Sequence, residues 1–182
     1  AYFDSSGKLH FGWLQLGKNW YYMDETNGYM MRDTAFDINN KTYKFNEDGT
    51  MVTGWLQNKD DWYYFSENGA MQKGWIQLDN TWYYMDEDDG YLYYDCWYTL
   101  NGSTYRFNAN GAMQVGWYKH YWNDNEDFDW YYYGANGEEH HGWLTLGSKK
   151  YYMDPSTGEM YHSRTATIDG LSYTFNEDGT LK

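Results

Sequence analysis

The sequence has little of the material from which small proteins usually build cores or cross-links. Of its 182 residues one is cysteine, Cys96, one is proline, and aliphatic side chains are few. A single thiol excludes an intrachain disulfide and any zinc site built on paired cysteines, and it says little about compartment. Basic residues are also scarce. Thirteen Lys and Arg stand against 27 Asp and Glu, a formal charge of −14, so the basic footprint needed for nucleic acid or an anionic membrane is missing. A cationic or neutral partner is easier to accommodate. No run approaches the roughly 18 consecutive apolar residues of a membrane span, and the opening Ala1-Tyr2-Phe3-Asp4 has neither the basic nor the apolar part of a signal peptide.

What is abundant is rings: 11 Trp, 23 Tyr and 8 Phe make up 23% of the chain. Any interior must be made of them. Large planar side chains bury much area each and pair edge-to-face or offset, so they can stabilise thin elements with no deep aliphatic centre.

The rings recur with a period. Gly7, Gly28, Gly49, Gly69, Gly90, Gly111, Gly137, Gly158 and Gly179 are spaced 21, 21, 20, 21, 21, 26, 21 and 21 residues apart, the signature of a repeat architecture. Most follow Asn or Asp, as in Asp48-Gly49 and Asn68-Gly69, and both residues of such a pair tolerate the positive φ of a tight turn. Before each turn runs an aromatic strand, complete at Trp20-Tyr21-Tyr22-Met23, Trp62-Tyr63-Tyr64-Phe65, Trp82-Tyr83-Tyr84-Met85 and Trp130-Tyr131-Tyr132-Tyr133. Another strand opens with Gly-Trp at Trp13, Trp55, Trp75, Trp117 and Trp143. A polar turn between the two makes a hairpin with a Trp on each arm.

The spacing predicts an all-β fold, a solenoid of stacked hairpins of about 21 residues, because a lone hairpin is barely stable in water and must bury its rings against its neighbour. We divide residues 1–182 as one repeat module: a partial unit 1–11, then units 12–32, 33–53, 54–73, 74–94, 95–115, 116–141, 142–164 and 165–182. The start falls partway through a repeat, so the chain is expected to be a segment of a larger protein. Three kinds of unit recur in order, and Gly12 to Gly74 is 62 residues, a duplicated three-hairpin block. Units such as Thr42-Tyr43-Lys44-Phe45 lack the second Trp. Alternation places the middle Tyr of each motif on one face with the closing Met or Phe, such as Tyr21 with Met23. That face is the expected core, and the Trp-bearing face is the expected ligand face.

The motif Gly-Trp…Trp-Tyr-Tyr…Gly-x-Met resembles the choline-binding repeats of Gram-positive cell-wall proteins over essentially the whole chain. It also resembles the glucan-binding repeats of glucosyltransferases and the carbohydrate-binding repeats of clostridial toxins, toward which the Thr-Tyr-Lys-Phe-Asn units lean. The resemblance implies a secreted, wall-attached module at the bacterial surface. Its partner is choline or phosphocholine of teichoic acid, held between consecutive hairpins by two Trp of one unit, a ring of the next and a Met or other apolar residue. A quaternary ammonium donates no hydrogen bond and is recognised by the negative faces of rings, each contributing about 0.5–2 kcal/mol, with polarizable Met suited to the remaining wall.

Carried onto this chain, the sites pair Trp13 with Trp20, Trp55 with Trp62, Trp75 with Trp82, and Trp117 with Trp130. Met30, Met71 and Leu92, two residues after a turn glycine, are assigned to the first three. The fourth has Glu139 there and a Trp pair separated by thirteen residues rather than seven, which makes it the least regular. The third ring of the second site is either Tyr83 or Tyr84. Lys150 replaces the second Trp opposite Trp143, and Ala35–Thr42 and Trp97–Thr104 belong to spacer units, whose Tyr43 and Tyr105 back the preceding cage.

Other chemistries find less support. Asp86-Glu87-Asp88-Asp89 and Asp124-Asn125-Glu126-Asp127 lack calcium-loop spacing. The five histidines show no metal spacing, so neither metal nor cofactor is expected. Acidic residues repeated in turns do not make a unique catalytic constellation, and a non-catalytic binding module follows. The alternative ligand is a glycan, with rings stacking on sugar faces and turn Asn and Asp taking the hydroxyls. A scaffold for host-protein contact and pairing of two copies through an exposed end hairpin are further expectations.

Overall fold

The computed structural model describes residues 1–123 and 127–182, so Asp124, Asn125 and Glu126 of the second acidic run lie outside the described residues. The described residues contain strands and turns and no helix. The chain divides into two compact units, Ala1–Tyr93 and Tyr94–Lys182.

In the first unit four antiparallel hairpins follow one another: β1 (Gly12–Leu16) with β2 (Asn19–Met23), β3 (Thr34–Ile38) with β4 (Lys41–Phe45), β5 (Gly54–Asn58) with β6 (Asp61–Phe65), and β7 (Gly74–Leu78) with β8 (Thr81–Met85). In the second they are β9 (Cys96–Leu100) with β10 (Ser103–Phe107), β11 (Gly116–Asn123) with β12 (Asp127–Tyr133), β13 (Gly142–Leu146) with β14 (Lys149–Met153), and β15 (Thr165–Ile168) with β16 (Leu171–Thr174). Each sheet is two-stranded. Several hairpins close on two left-handed residues, such as Asn39-Asn40 and Asp79-Asn80, whose backbone twist matches that of the flanking strands.

After each hairpin the chain turns through the periodic glycine and returns one residue to the second strand, as in the bridges Phe45↔Met51, Met85↔Leu92 and Met153↔Met160. That residue also stitches the array. The Met51 N–H donates to the Trp20 carbonyl, Leu92 to Trp62 and Met160 to Trp130, each at 2.8 Å. The bridging residue of one hairpin is thereby fixed beside the second-Trp position of the hairpin before it.

This stitching explains why the period is kept by glycine. Gly49 has φ +84°, and a Cβ there would lie 2.6 Å from the Met30 sulfur, so both backbone and packing exclude a side chain. Where a unit has no glycine before its first strand, the left-handed residue moves one position earlier, to Asp33, Asp95 or Ser163. Cys96 can therefore replace the glycine found in other units.

The core is distributed junction by junction. Phe45, 0% exposed, packs with Tyr22 and Ile38 in one cluster, and Leu144, Tyr151, Met153 and Met160 form another. The closing Met, Phe and Tyr residues of the expected core face are buried, as are Tyr131 and Tyr151, but the division into a core face and a ligand face holds only in part. Tyr22, Tyr84 and Tyr152, on the expected ligand face, are buried, whereas Tyr43, Tyr63 and Tyr83, on the expected core face, are only partly so. In a stack, the Trp face of one hairpin meets the Tyr face of the next, so one junction supplies both a sealed core end and an open ring end.

The insertion in unit 116–141 lengthens the hairpin at its tip. Trp130 pairs Lys119 as Trp62 pairs Gln57, His120 pairs Asp129 as Asn58 pairs Asp61, and the added pairs Tyr121↔Phe128 and Asn123↔Asp127 lie beyond.

Candidate functional site

The junction after β1/β2 shows how the sequence builds a cage. Cross-strand register puts Trp13 opposite Tyr22 and Trp20 opposite Gln15, so both indoles lie on one face. They meet edge-to-face, 6.3 Å apart at 83°. Tyr43, the middle tyrosine of the next hairpin, stands 4.8 Å from Trp13 at 68°. These rings and Met51 line a cavity of about 580 Å³ with Glu67 and Asn68 at its edge. Trp20 is 38% exposed, which leaves ring surface to be desolvated by a ligand. A carboxylate at the mouth and three rings at steep angles suit a cation that makes no hydrogen bonds.

The same arrangement recurs after β5/β6. Trp55 and Trp62 lie 6.5 Å apart at 82°, and Tyr83 lies 5.3 Å from Trp55. Tyr84 instead packs in its own hairpin against Trp75, 5.0 Å away, and is 2% exposed. Of the two tyrosines offered for the third ring, the structure places Tyr83 there. The pair Trp75 and Trp82 repeats the perpendicular geometry at 6.2 Å and 87°.

The fourth Trp pair is as regular as the others. Trp117 and Trp130 stand 6.2 Å apart at 89°, Tyr151 is 4.9 Å from Trp117, and Met160 completes a cavity of about 320 Å³. Thirteen residues separate the two indoles in sequence, yet Trp130 stands opposite Lys119 in the register that Trp62 has opposite Gln57. The surroundings carry more positive charge. Lys149 pairs with Asp178 at 3.5 Å on the rim, and the Lys119 ammonium lies 3.5 Å from the Phe128 ring centroid and 5.7 Å from that of Trp130.

The apolar closing residues require correction. Met30, Met71 and Leu92 do not close the Trp pairs of their own hairpins. Met30 lies beneath Gly49, Met71 donates its N–H to Thr42, and Leu92 to Trp62. Each bridging residue reaches back one hairpin, so Met51, Leu92 and Met160 stand at the cages of Trp20, Trp62 and Trp130. By the same shift Glu139 has no place in the fourth cage; its N–H donates to Thr104. Sequence reasoning missed Met51 and Met160 here. Their regular place two residues after a turn glycine was visible, but the hairpin served was not.

Two other junctions carry one Trp. Trp143 meets Tyr173 at 4.9 Å, with exposed Lys150 where a second Trp would stand. Trp97 is already occupied. The Arg106 guanidinium lies 4.6 Å from the Trp97 centroid and 5.3 Å from that of Tyr118, and it pairs with Asp95 at 2.7 Å. His120 adds its edge at 4.7 Å. Burial pulls the Arg106 pKa down, but hydrogen bonds to Asp95 and Tyr118 outweigh it and hold the group charged.

The turn carboxylates serve their own turns. Asp86 accepts N–H bonds from Asp88 and Asp89 at 2.9 and 2.8 Å, together with the Tyr93 hydroxyl, and these hold its carboxyl below the usual range.

The sequence matches the choline-binding repeat family over residues 36–68 and 57–97, and the cell wall binding repeat family over residues 12–30, 97–113 and 141–160. No curated protein matches it. Among solved structures it is similar to CbpJ of Streptococcus pneumoniae, with 32% identity and a TM-score of 0.84 over 100% of this chain and 61% of that one. Choline-binding protein F of the same organism, determined in the presence of a peptidoglycan analogue, gives 29% identity and a TM-score of 0.83 over 100% and 60%. The choline-binding domain of pneumococcal CbpL gives 25% and 0.57 over 95% and 97%. The chain thus spans about three fifths of the length of CbpJ and choline-binding protein F. With its hairpin stack and ring-lined junctions, the chain belongs to the choline-binding, cell-wall-binding repeat family.

Proposed function

We propose that the junctions of Trp13/Trp20/Tyr43, Trp55/Trp62/Tyr83 and Trp117/Trp130/Tyr151 bind the choline of wall teichoic acids, and that the module thereby holds an attached domain at the bacterial surface without catalysing a reaction itself. The observation that carries this reading is the cavity beside Trp20, walled by three rings and Met51 with Glu67 at its mouth. Three rings at about 0.5–2 kcal/mol each match the roughly 4 kcal/mol of a millimolar dissociation constant. Such a site is weak alone. Several sites on one array acting on a polymer with many choline groups bind far more tightly through effective concentration. Titration with choline under Trp fluorescence tests this: a saturable change in the millimolar range is expected, and no response up to tens of millimolar would remove choline as the ligand.

A further inference from the structure

The junction after β3/β4 keeps the frame of a cage and lacks its indoles. Ala35 and Thr42 stand where Trp13 and Trp20 stand one hairpin earlier, since Ala35 pairs Lys44 as Trp13 pairs Tyr22 and Thr42 pairs Asp37 as Trp20 pairs Gln15. Met71 donates its N–H to Thr42 at 2.8 Å, as Met51 does to Trp20. The third ring is Tyr63. With no indoles in its wall, this junction holds a cavity of about 400 Å³, within the range of small-molecule sites, about 300–1,000 Å³.

Its lining differs in kind from that of the cages. The Tyr63 ring and the apolar side chains of Leu56, Phe65 and Met71 form part of the wall, while Gln57, Asn58, Lys44 and Asp89 bring polar groups. Among the described residues the Gln57 and Asn58 amides, the Asp89 carboxylate and the Tyr63 hydroxyl have no hydrogen-bond partner, and Lys44 has a distant one, Asp33 at 3.9 Å. A quaternary ammonium can use none of these donors, and the Lys44 ammonium offsets the attraction of the Asp89 carboxylate. Amides that donate and accept, a carboxylate that accepts and an ammonium that donates meet the needs of a ring of hydroxyls. The partly exposed ring of Tyr63 accepts the polarised C–H groups on one side of a sugar, with buried Phe65 behind it. Lys44 and Asp89 are of opposite sign, which suits a neutral ligand.

We propose that this junction is a second kind of binding pocket, which takes a neutral pyranose unit of a glycan on Tyr63 with Gln57, Asn58 and Asp89 on its hydroxyls. The proposal does not depend on what the indole cages bind. Saturation-transfer NMR on the full chain, with methyl β-glucoside, methyl β-galactoside and N-acetylglucosamine as probes and choline present throughout, tests it. Transfer to at least one sugar is expected. It should weaken at least tenfold in Gln57→Ala/Asn58→Ala, which changes two exposed side chains. It should vanish in Ala35→Trp/Thr42→Trp, which rebuilds the walls of the pocket with indoles and should add one site in a parallel choline titration. No transfer from any of the three sugars at tens of millimolar, or transfer unchanged in the Gln57/Asn58 variant, would overturn the pocket. A failed choline titration alone would bear only on the cages.

Discussion

Set side by side, the junction at Trp13 and the junction at Trp97 use one chemistry to opposite ends. At Trp13, the indole of Trp20 and the phenol of Tyr43 surround an open cavity. At Trp97 the second indole is Thr104, the last tyrosine of the motif is Arg106, and the guanidinium rests over the rings of Trp97 and Tyr118. A cation near aromatic faces is favourable whether it arrives from solution or is part of the chain. The presence of rings therefore does not mark a binding site; their vacancy does. The largest expected effect comes from removing the resident cation. Arg106 is 6% exposed, and its loss strips two ring contacts, the Asp95 pair and hydrogen bonds to the Cys96 and Phe107 carbonyls. Asp95 is largely exposed, which discounts the ion pair. Arg106→Ala should still cost about 2–4 kcal/mol, read as a lower urea midpoint by circular dichroism, while the Trp13 site still titrates with choline. A loss below about 0.5 kcal/mol would mean that the cation is not structural.

Next in size is the link between the turn glycines and the cages. Gly69 has φ +80°, and a Cβ there would overlap the sulfur and terminal methyl of Met51, the residue closing the Trp13 cavity. Gly69→Ala should cost about 1–2 kcal/mol of stability from the left-handed backbone and weaken choline at that site by pushing Met51 aside. Unchanged calorimetric affinity and stoichiometry would show that Met51 is not a wall of the cage. Smaller still, Trp20→Ala removes one half-exposed ring from the same site. It should weaken choline by about 0.5–2 kcal/mol, two- to thirtyfold, while the unfolding midpoint hardly moves. A large midpoint shift with affinity intact would reassign Trp20 to packing.

The hairpins were legible in the sequence because their determinants are local: a turn glycine about every 21 residues, strands dense in tyrosine, and polar pairs at the tips. The Trp pairs were legible for the same reason, as two arms of one hairpin. What lay beyond reach was the step from one hairpin to the next. Whether Met30 or Met51 serves Trp20 depends on the Met51 N–H bond to the Trp20 carbonyl, a contact between units that no spacing within a unit encodes. The face assignment held only in part, for a related reason. Period-two alternation separates the two faces of a hairpin correctly, but stacking presses unlike faces together, so Tyr83 joins a cage and Tyr84 is buried. The inserted residues of unit 116–141 made the Trp117/Trp130 pair look irregular only because separation along the chain is a poor measure of distance across an extended hairpin.

The smallest effect separates the same two junctions by pH. At Trp13 the bridging residue is Met51. At Thr104, in the hairpin of Trp97, it is Glu139, whose side chain is nearly buried, and burial pushes its carboxyl above the usual range although His141, 3.6 Å away, pulls it back. A carboxyl with a raised folded-state pKa opposes folding when ionised, so its penalty is present at neutral pH and is relieved as pH falls through that raised value. The turn aspartates act in the other direction. Asp154 accepts bonds from the Ser156 hydroxyl and N–H, the Tyr161 hydroxyl and the Thr157 N–H, which hold it well below the carboxylate range, and Asp24, Asp48 and Asp178 are lowered similarly. Their contribution is complete above the unfolded value of about 3.9 and is lost as pH falls through the lower folded values. Glu139→Met should therefore raise the unfolding midpoint at pH 7, with a gain that shrinks as pH is lowered through the raised value. Both proteins should then lose stability together in stronger acid, as the turns titrate. A gain that does not vary with pH would mean that methionine improves packing there and that the buried charge costs nothing.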